Sequence, residues 1–460
     1  MPRRIALFGG SFNPPGLHHR QIAEMLAREF DEVRVVPCGP RPDKPSVSSV
    51  PSVCRAALCD LTFGGIDKVV VDLFDLESDE FTRNYDLEKR YAVDGEVWHV
   101  VGSDWLGGGA QGQSAIHKGW ERGTELWNSS HFAVMTRPGH SIPKEDLPPN
   151  SQLLILEIDS SSSSIRELLL RGEDATKLLT AGAARYIERY GLYRGNNPAT
   201  WSHGTMEGWL GTLQADERNA KAMDWAQRLA AHCDGDKADY ILTLGGDGTM
   251  LRTIREHWRR RLPFFGINAG HLGFLMNAPE EVLEAPFPPV DVIFRQLPLL
   301  FIELELEDGT KPTEYAFNDA WVERSTSQSA WMAVKVNGEP RMKKLVADGA
   351  LVSTAAGSTA YARSMGASPL LADTPAWLLV GSNVMEPLHW KSALLSTDSC
   401  VEICNLEPEA RPIIAFVDGI PRGPVRSMRA RLSRAASAEL VFLASRDMAE
   451  KIAAIQFQKI

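Results

Sequence analysis

Leu242-Thr243-Leu244-Gly245-Gly246-Asp247-Gly248-Thr249-Met250 sets an acid between glycines where an apolar run gives way to a helical pattern. The run over 240–244 is short and largely apolar, as expected of a strand buried on both faces. Glycines at its end let a sugar or phosphate lie against the backbone, and a carboxylate there can accept a proton from a hydroxyl, as a general base does. Alone, the same residues also describe an Asp-Gly turn that caps a helix. A helical stretch over 216–232 precedes the strand. A helix near 250–258 and a strand over 264–267 follow, which makes the region α/β. From about residue 300 the pattern changes to short β-like runs at 300–306, 332–336, 351–353, 401–403 and 413–417. Asn337-Gly338 is a hairpin signal among them. A last helix over about 446–455 would return to the α/β part.

Upstream, residues 1–195 alternate in the same way. Strands are expected at 5–8, 33–37, 69–72, 97–101, 132–135 and 153–158, with helices at 20–30, 165–170 and 177–190. Gly9-Gly10-Ser11-Phe12-Asn13-Pro14-Pro15-Gly16-Leu17-His18-His19 follows the first strand directly. A glycine pair there allows close approach of a phosphate, and the next helix offers unpaired N–H groups to anions. His19, near the helix start, could donate to a triphosphate and stabilise charge on a leaving group. A tight strand-to-helix turn with solvent-facing histidines would look alike. The segment Arg194-Gly195-Asn196-Asn197-Pro198 is turn-forming, and the break between halves is expected there.

The bulk numbers limit the alternatives. A chain of 460 residues with 44% hydrophobic and 23% charged residues is an ordinary globular composition with room for several domains. The net charge of −10 argues against a general nucleic-acid or anionic-membrane binder. No apolar stretch approaches the ~18 residues that span a bilayer, and the first apolar run is too short for a signal peptide. A cytoplasmic protein is expected. Cys400-x3-Cys404 lies in a strand-like run without a nearby histidine, so the six cysteines read as buried thiols rather than metal ligands.

The N-terminal stretch resembles the nucleotidyltransferase signature GG(S/T)F(D/N)PxHxGH of nicotinate/nicotinamide mononucleotide adenylyltransferases. A second element of that family, Ser/Thr-Ser/Thr-x-Ile-Arg, is matched by Ser162-Ser163-Ser164-Ile165-Arg166. Gly102-Ser103-Asp104, Trp120 and Arg137-Pro138-Gly139 are further echoes. The resemblance covers about residues 1–193 and implies a Rossmann-like nucleotidyltransferase domain. It implies that Gly10, Ser11, Phe12, His19, Ser162, Ser163 and Arg166 hold ATP, and that Thr82, Asp104 and Trp120 lie near the mononucleotide. One departure stands out: Gly16 occupies the place of the motif's first histidine, and His18 that of its glycine.

The C-terminal half is similar to NAD kinases. Asn268-Ala269-Gly270-His271-Leu272-Gly273-Phe274-Leu275 matches NxGxLGFL, Asn318-Asp319 matches an Asn-Glu/Asp pair, and the stretch from Asp348 to Tyr361 resembles DGxxxSTPTGSTAY. Val417-Asp418-Gly419 resembles a later Asp-Gly element. The order of these segments carries the resemblance more than any one of them. It implies that Asp247 is the base for the 2′-hydroxyl of NAD's adenosine ribose, and that Asn318 and Asp319 hold the adenosine side. Thr359, Ala360 and Tyr361 would line the dinucleotide with Asp348 nearby, while Gly246, Gly248 and Thr249 face the phosphates of ATP. Two positions depart: Ala355-Ala356 replaces Pro-Thr, and Val346 replaces a frequent arginine.

The expected architecture is therefore a nucleotidyltransferase-like domain over 1–195 and a linker over 196–204. An NAD-kinase-like α/β domain would comprise 205–295 with 440–460, and a β-rich domain 296–439. The expected function is bifunctional synthesis of NAD and NADP, with ATP, NAD and nicotinamide or nicotinate mononucleotide as ligands. Mg²⁺ would accompany ATP, no metal would be held by the protein, and the family's habit implies a homo-oligomer. The alternative is an NAD kinase whose N-terminal domain binds nucleotide as a sensor.

Overall fold

A computed structural model describes residues 2–41, 50–136, 142–155, 161–195, 199–284, 286–445, 452, 453, 456 and 457. The expected Arg137-Pro138-Gly139 element, the core of the expected linker (Asn196, Asn197 and Pro198) and nearly all of the expected last helix lie outside these. The chain divides into two compact units, residues 1–199 and 200–460.

The first unit is built on six parallel strands: β1 (Arg4–Gly10), β2 (Glu32–Pro37), β3 (Val69–Val71), β4 (Glu96–Gly102), β5 (His131–Thr136) and β6 (Ser151–Ile155). Their spatial order is β3-β2-β1-β4-β5-β6, the doubly wound order. Ile5, Ala6 and Leu7 of β1 are fully buried, as its position at the centre of the sheet requires. The order reverses between β1 and β4, and in such sheets ligands bind outside the carboxyl ends of the strands at that reversal. Gly9 and Gly10 end β1, and Gly102 ends β4.

The second unit opens with β7 (Trp201–Gly204), β8 (Gly211–Ala215), β9 (Tyr240–Gly245) and β10 (Phe264–Asn268). β8, β9 and β10 are parallel, and the helix Asp247–His257 follows β9. Beyond them come β11 (Val292–Leu306), β12 (Thr313–Ala316), β13 (Asp319–Arg324), β14 (Ala330–Val336), β15 (Glu339–Ala347), β16 (Gly349–Ser353), β17 (Ala376–Ser382), β18 (Ser392–Ser396), β19 (Cys400–Asn405), β20 (Ile413–Val417) and β21 (Ile420–Leu443). This part is antiparallel and closes on an apolar core that includes Ile302, Val322, Val334, Val352, Trp377, Ile403 and Met428. Asn337 and Gly338 both take positive φ (54° and 79°), the geometry of a type I′ turn joining β14 to β15.

Three boundaries differ from the sequence expectation. Residues 201–204 are not linker: β7 pairs antiparallel with Val292–Arg295. A four-residue edge strand, Trp-Ser-His-Gly, carries no apolar run to reveal it. The expected cuts at 295/296 and 439/440 fall inside β11 and β21. The 15-residue β11 and 24-residue β21 both run from the parallel part into the antiparallel part, with a register shift in their pairing between Pro298 and Leu300. All six cysteines are unbridged; Cys38, Cys54 and Cys59 are buried, but Cys233, Cys400 and Cys404 are only half-buried. No helix among the described residues is long and apolar enough to cross a membrane.

Candidate functional site

At the β1/β4 reversal a cleft of about 810 Å³ gathers Gly10, Ser11, Phe12, His19, Thr82, Asp104, Trp120, Ser162, Ser163 and Arg166. All ten N-terminal candidates thus line one cavity. The turn after β1 is clasped by the helix Ser162–Leu170: Ser162 Oγ donates to the Pro14 carbonyl at 2.8 Å and Arg166 to the Asn13 carbonyl at 2.7 Å. Ser161 caps that helix by accepting the Ser164 N–H, so Ser162 and Ser163 form its first turn beside the cleft. His19 stands in the first turn of the helix Leu17–Glu29, and its Nδ1 accepts the Gly16 N–H at 3.1 Å. In the neutral ring this leaves the proton on Nε2.

Not every side chain here faces a ligand. Phe12 is buried, and its ring packs edge-on against Phe8, Phe63 and His19, so what it offers a nucleotide is backbone. Thr82 is held by Asp75, to which its hydroxyl donates at 2.6 Å; burial raises the Asp75 carboxyl above its usual range. Arg55 was missed in the sequence. It is buried and donates to the carbonyls of Ser11 (2.7 Å) and Cys38 (2.6 Å), bracing the ends of β1 and β2. Its signal was a lone cation in the otherwise largely apolar helix Ser52–Phe63.

In the second unit Asp247 is the first residue of its helix, and the two oxygens of its carboxylate accept backbone N–H groups of Phe274 and Leu275, both at 2.9 Å. The Gly-Gly-Asp-Gly turn and the Asn268–Leu275 loop therefore meet at the acid. Gly248 is exposed and Gly246 half-buried, whereas Thr249 turns inward and packs against Gly245. The loop also borders a hollow of about 800 Å³ with Lys221, Arg228 and His271 on its wall. Phe317 and Ala356 join Met250, Ile254, Leu275 and Met276 in one apolar cluster, which sets the Asn318 region against this helix.

Asn318 and Asp319 are fixed from two sides. Asp418 accepts the N–H groups of Phe317 (2.7 Å), Asn318 (2.9 Å) and Asp319 (3.3 Å). From the other side the Thr354 N–H donates to the Asn318 carbonyl (2.9 Å) and the Thr354 hydroxyl to that of Phe317 (2.7 Å). Gly357 packs so closely that a Cβ there would overlap the Asn318 carbonyl, its carbon at 2.6 Å. The amide oxygen of Asn318 is buried without a hydrogen-bond partner among the described residues, an acceptor suited to a ligand N–H. Burial, reinforced by the Asp418 carboxylate, pushes the Asp319 carboxyl up to about 7.

Thr359, Ala360 and Tyr361 follow in the same segment, which leads from the short 3₁₀ turn into the helix Tyr361–Ser364. The Tyr361 ring meets Trp321 edge-on at 5.0 Å. Asp348 is held by Asn383 (2.7 Å) and Arg324 (2.5 Å), and these contacts lower its pKa. Arg324 thus brings a guanidinium to Asp348 in a chain that has Val346 in place of a nearby arginine. Ala355 and Ala356, the other departure, are buried small residues.

Each unit thus gathers its own set of candidate residues, and the class they point to is a nucleotide-binding transferase. The family model for the ATP-NAD kinase N-terminal domain matches residues 200–285, and the cytidylyltransferase-like model matches residues 7–168. The chain is 31% identical over 242 residues to the NAD kinase of Rickettsia bellii, covering 53% of this chain and 94% of that protein. It is 32% identical to the NAD kinase of Brucella suis biovar 1 over 233 residues (49% and 88% of the two chains). The Mesorhizobium japonicum enzyme is 32% identical over 249 residues (54% and 96%). Through its second half the chain belongs to the NAD kinase family, and it carries a cytidylyltransferase-like domain ahead of it.

Proposed function

We propose that this chain both makes NAD and converts it to NADP. The observation that carries the reading is the convergence of the ten N-terminal candidates on one cleft at the sheet reversal, in a chain whose other half belongs to the NAD kinase family. In the first reaction a phosphate oxygen of nicotinamide (or nicotinate) mononucleotide attacks the α-phosphorus of ATP. The bond to the bridging oxygen breaks, pyrophosphate leaves with the electron pair, and NAD (or its acid form) results. His19 Nε2, the first-turn N–H groups (that of Ser162, whose hydroxyl is engaged by the Pro14 carbonyl, among them), the Ser163 hydroxyl and Arg166 would hold the triphosphate, while Asp104, Thr82 and Trp120 would flank the mononucleotide. Catalysis is positioning plus charge stabilisation, without a covalent intermediate.

In the second reaction Asp247 takes the proton of the adenosine 2′-hydroxyl as that oxygen attacks the γ-phosphorus of ATP, and ADP leaves. Each Asp247 oxygen, oriented by one backbone N–H, keeps a lone pair for this proton. The unpartnered Asn318 oxygen and the Asp319 carboxyl suit the amino and hydroxyl donors of adenosine. Thr359, Ala360, Tyr361 and Asp348 would border the dinucleotide, and Gly246, Gly248 and the turn above Thr249 the phosphates.

Mg²⁺ would travel with ATP and neutralise phosphate charge, with Asp104 and Asp247 as candidate carboxylates beside it in the two sites. Among the described residues no three His, Cys, Asp or Glu side chains converge as a dedicated metal cage. The product of the first centre is the substrate of the second only if the mononucleotide is the amide, so nicotinamide mononucleotide is the proposed substrate. Pyrophosphate release with each mononucleotide tests this; a strong preference for the acid form contradicts it. The proposed setting is a homo-oligomer in the cytoplasm, where its thiols stay reduced; sedimentation measures the assembly.

A further inference from the structure

The helix Leu17–Glu29 carries two adjacent histidines in its first turn, and the fold brings both imidazoles to one spot. The rings of His18 and His19 lie 3.9 Å apart, tilted by 40°, and both line the cleft. His18 is only 7% exposed. Adjacent side chains on a helix diverge by about 100°, so this stack requires His18 to fold back over the residue that precedes the helix. Gly16 leaves it that room. A Cβ on Gly16 would stand 2.9 Å from His18 Nδ1 and Cε1 and 2.7 Å from Ile165 Cδ1. The His18 ring therefore fills the volume into which a side chain on residue 16 would project.

Resting on the nucleotidyltransferase reading of this cleft, we propose that His18 is a second phosphate-binding imidazole, delivered from position 18 into the space that Gly16 vacates. The two residues form a coupled exchange: the motif's first histidine and its glycine trade places in sequence while an imidazole keeps its place in space. Two imidazoles side by side at a helix N-terminus, whose dipole already favours anions, offer adjacent N–H donors to a polyphosphate. A bare histidine loss at position 16 would leave His19 alone; the side-by-side geometry supplies the pair.

The test uses the full chain, with pyrophosphate release from ATP and nicotinamide mononucleotide as readout and NADP formation from supplied NAD as a control for folding. H18A is expected to lower kcat/KM for ATP about 10- to 100-fold, the loss of one charge-assisted contact. G16A, which displaces the ring, is expected to fall similarly. The double variant G16H/H18G is expected to recover to within a few-fold of the unaltered chain. Activity of H18A within twofold of the unaltered chain, or G16H/H18G no better than H18A, overturns the proposal. If the unaltered chain releases no pyrophosphate with either mononucleotide, the adenylyltransferase reading fails on its own. Calorimetry with inorganic triphosphate then decides the role of His18: tenfold weaker binding by H18A supports it, and equal binding overturns it.

Discussion

Replacing Asp319 by asparagine removes a carboxyl that the fold holds in an unfavourable place. Asp319 is 4% exposed, and burial together with the Asp418 carboxylate moves its pKa from 3.8 to about 7. That rise corresponds to about 4 kcal/mol between the two protonation states. Between roughly pH 4 and 7 the folded chain keeps a proton that the unfolded chain has released, so this group's contribution to stability falls as pH rises. Above that window the penalty is complete. D319N keeps the shape and cannot ionise. Its advantage over the unaltered chain should grow by about 2–3 kcal/mol from pH 5 to pH 8. Urea unfolding of both proteins at the two pH values, followed by intrinsic fluorescence, measures the gap. A gap that is the same at pH 5 and pH 8 would refute the argument that burial and Asp418 act on Asp319.

Three further substitutions probe other supports. Gly357→Ala forces a methyl group into the Asn318 backbone, an overpacking cost of about 1–3 kcal/mol. It should lower NADP formation at least about tenfold, the equivalent of 1.4 kcal/mol, and leave pyrophosphate release unchanged; unchanged NADP formation contradicts it. Asn277→Ala removes a buried amide that donates to the Gly266 and Val441 carbonyls and accepts the Leu443 N–H, all at 3.0 Å. A loss of about 2–4 kcal/mol is expected on thermal unfolding of the second unit. Arg55→Met takes away the guanidinium that braces the Ser11 and Cys38 carbonyls, and pyrophosphate release should drop about tenfold while NADP formation from supplied NAD persists.

Most of the α/β framework was legible because its strands are short apolar runs buried on both faces. A glycine pair stands at the end of β1 and of β9, and those turns mark both candidate sites in the sequence. The ordered segments around Asp247 and Asn318 also meet at one apolar cluster. What escaped was long-range. Nothing local in Asp418 says that it will collect three N–H groups from residues 317–319, a hundred positions away. β7 escaped because an edge strand needs no apolar alternation, and the continuity of β11 and β21 because Pro298 and the register shift beside it interrupt the local pattern while the strands run on. Thr249 and Phe12 were legible as members of the two glycine turns but not as inward-facing residues, since a motif fixes which residues meet and not which way each side chain turns. The exchange of Gly16 and His18 reads as a defect in one dimension; only the position of the His18 ring over Gly16 shows that an imidazole still occupies that space.

The most direct measurement incubates the full chain with nicotinamide mononucleotide, ATP and Mg²⁺ and separates the products by chromatography. The unaltered chain is expected to yield both NAD and NADP, and the D247N variant NAD with no NADP. NADP formation that survives D247N, or the loss of both products together, would contradict the account of two centres in one chain.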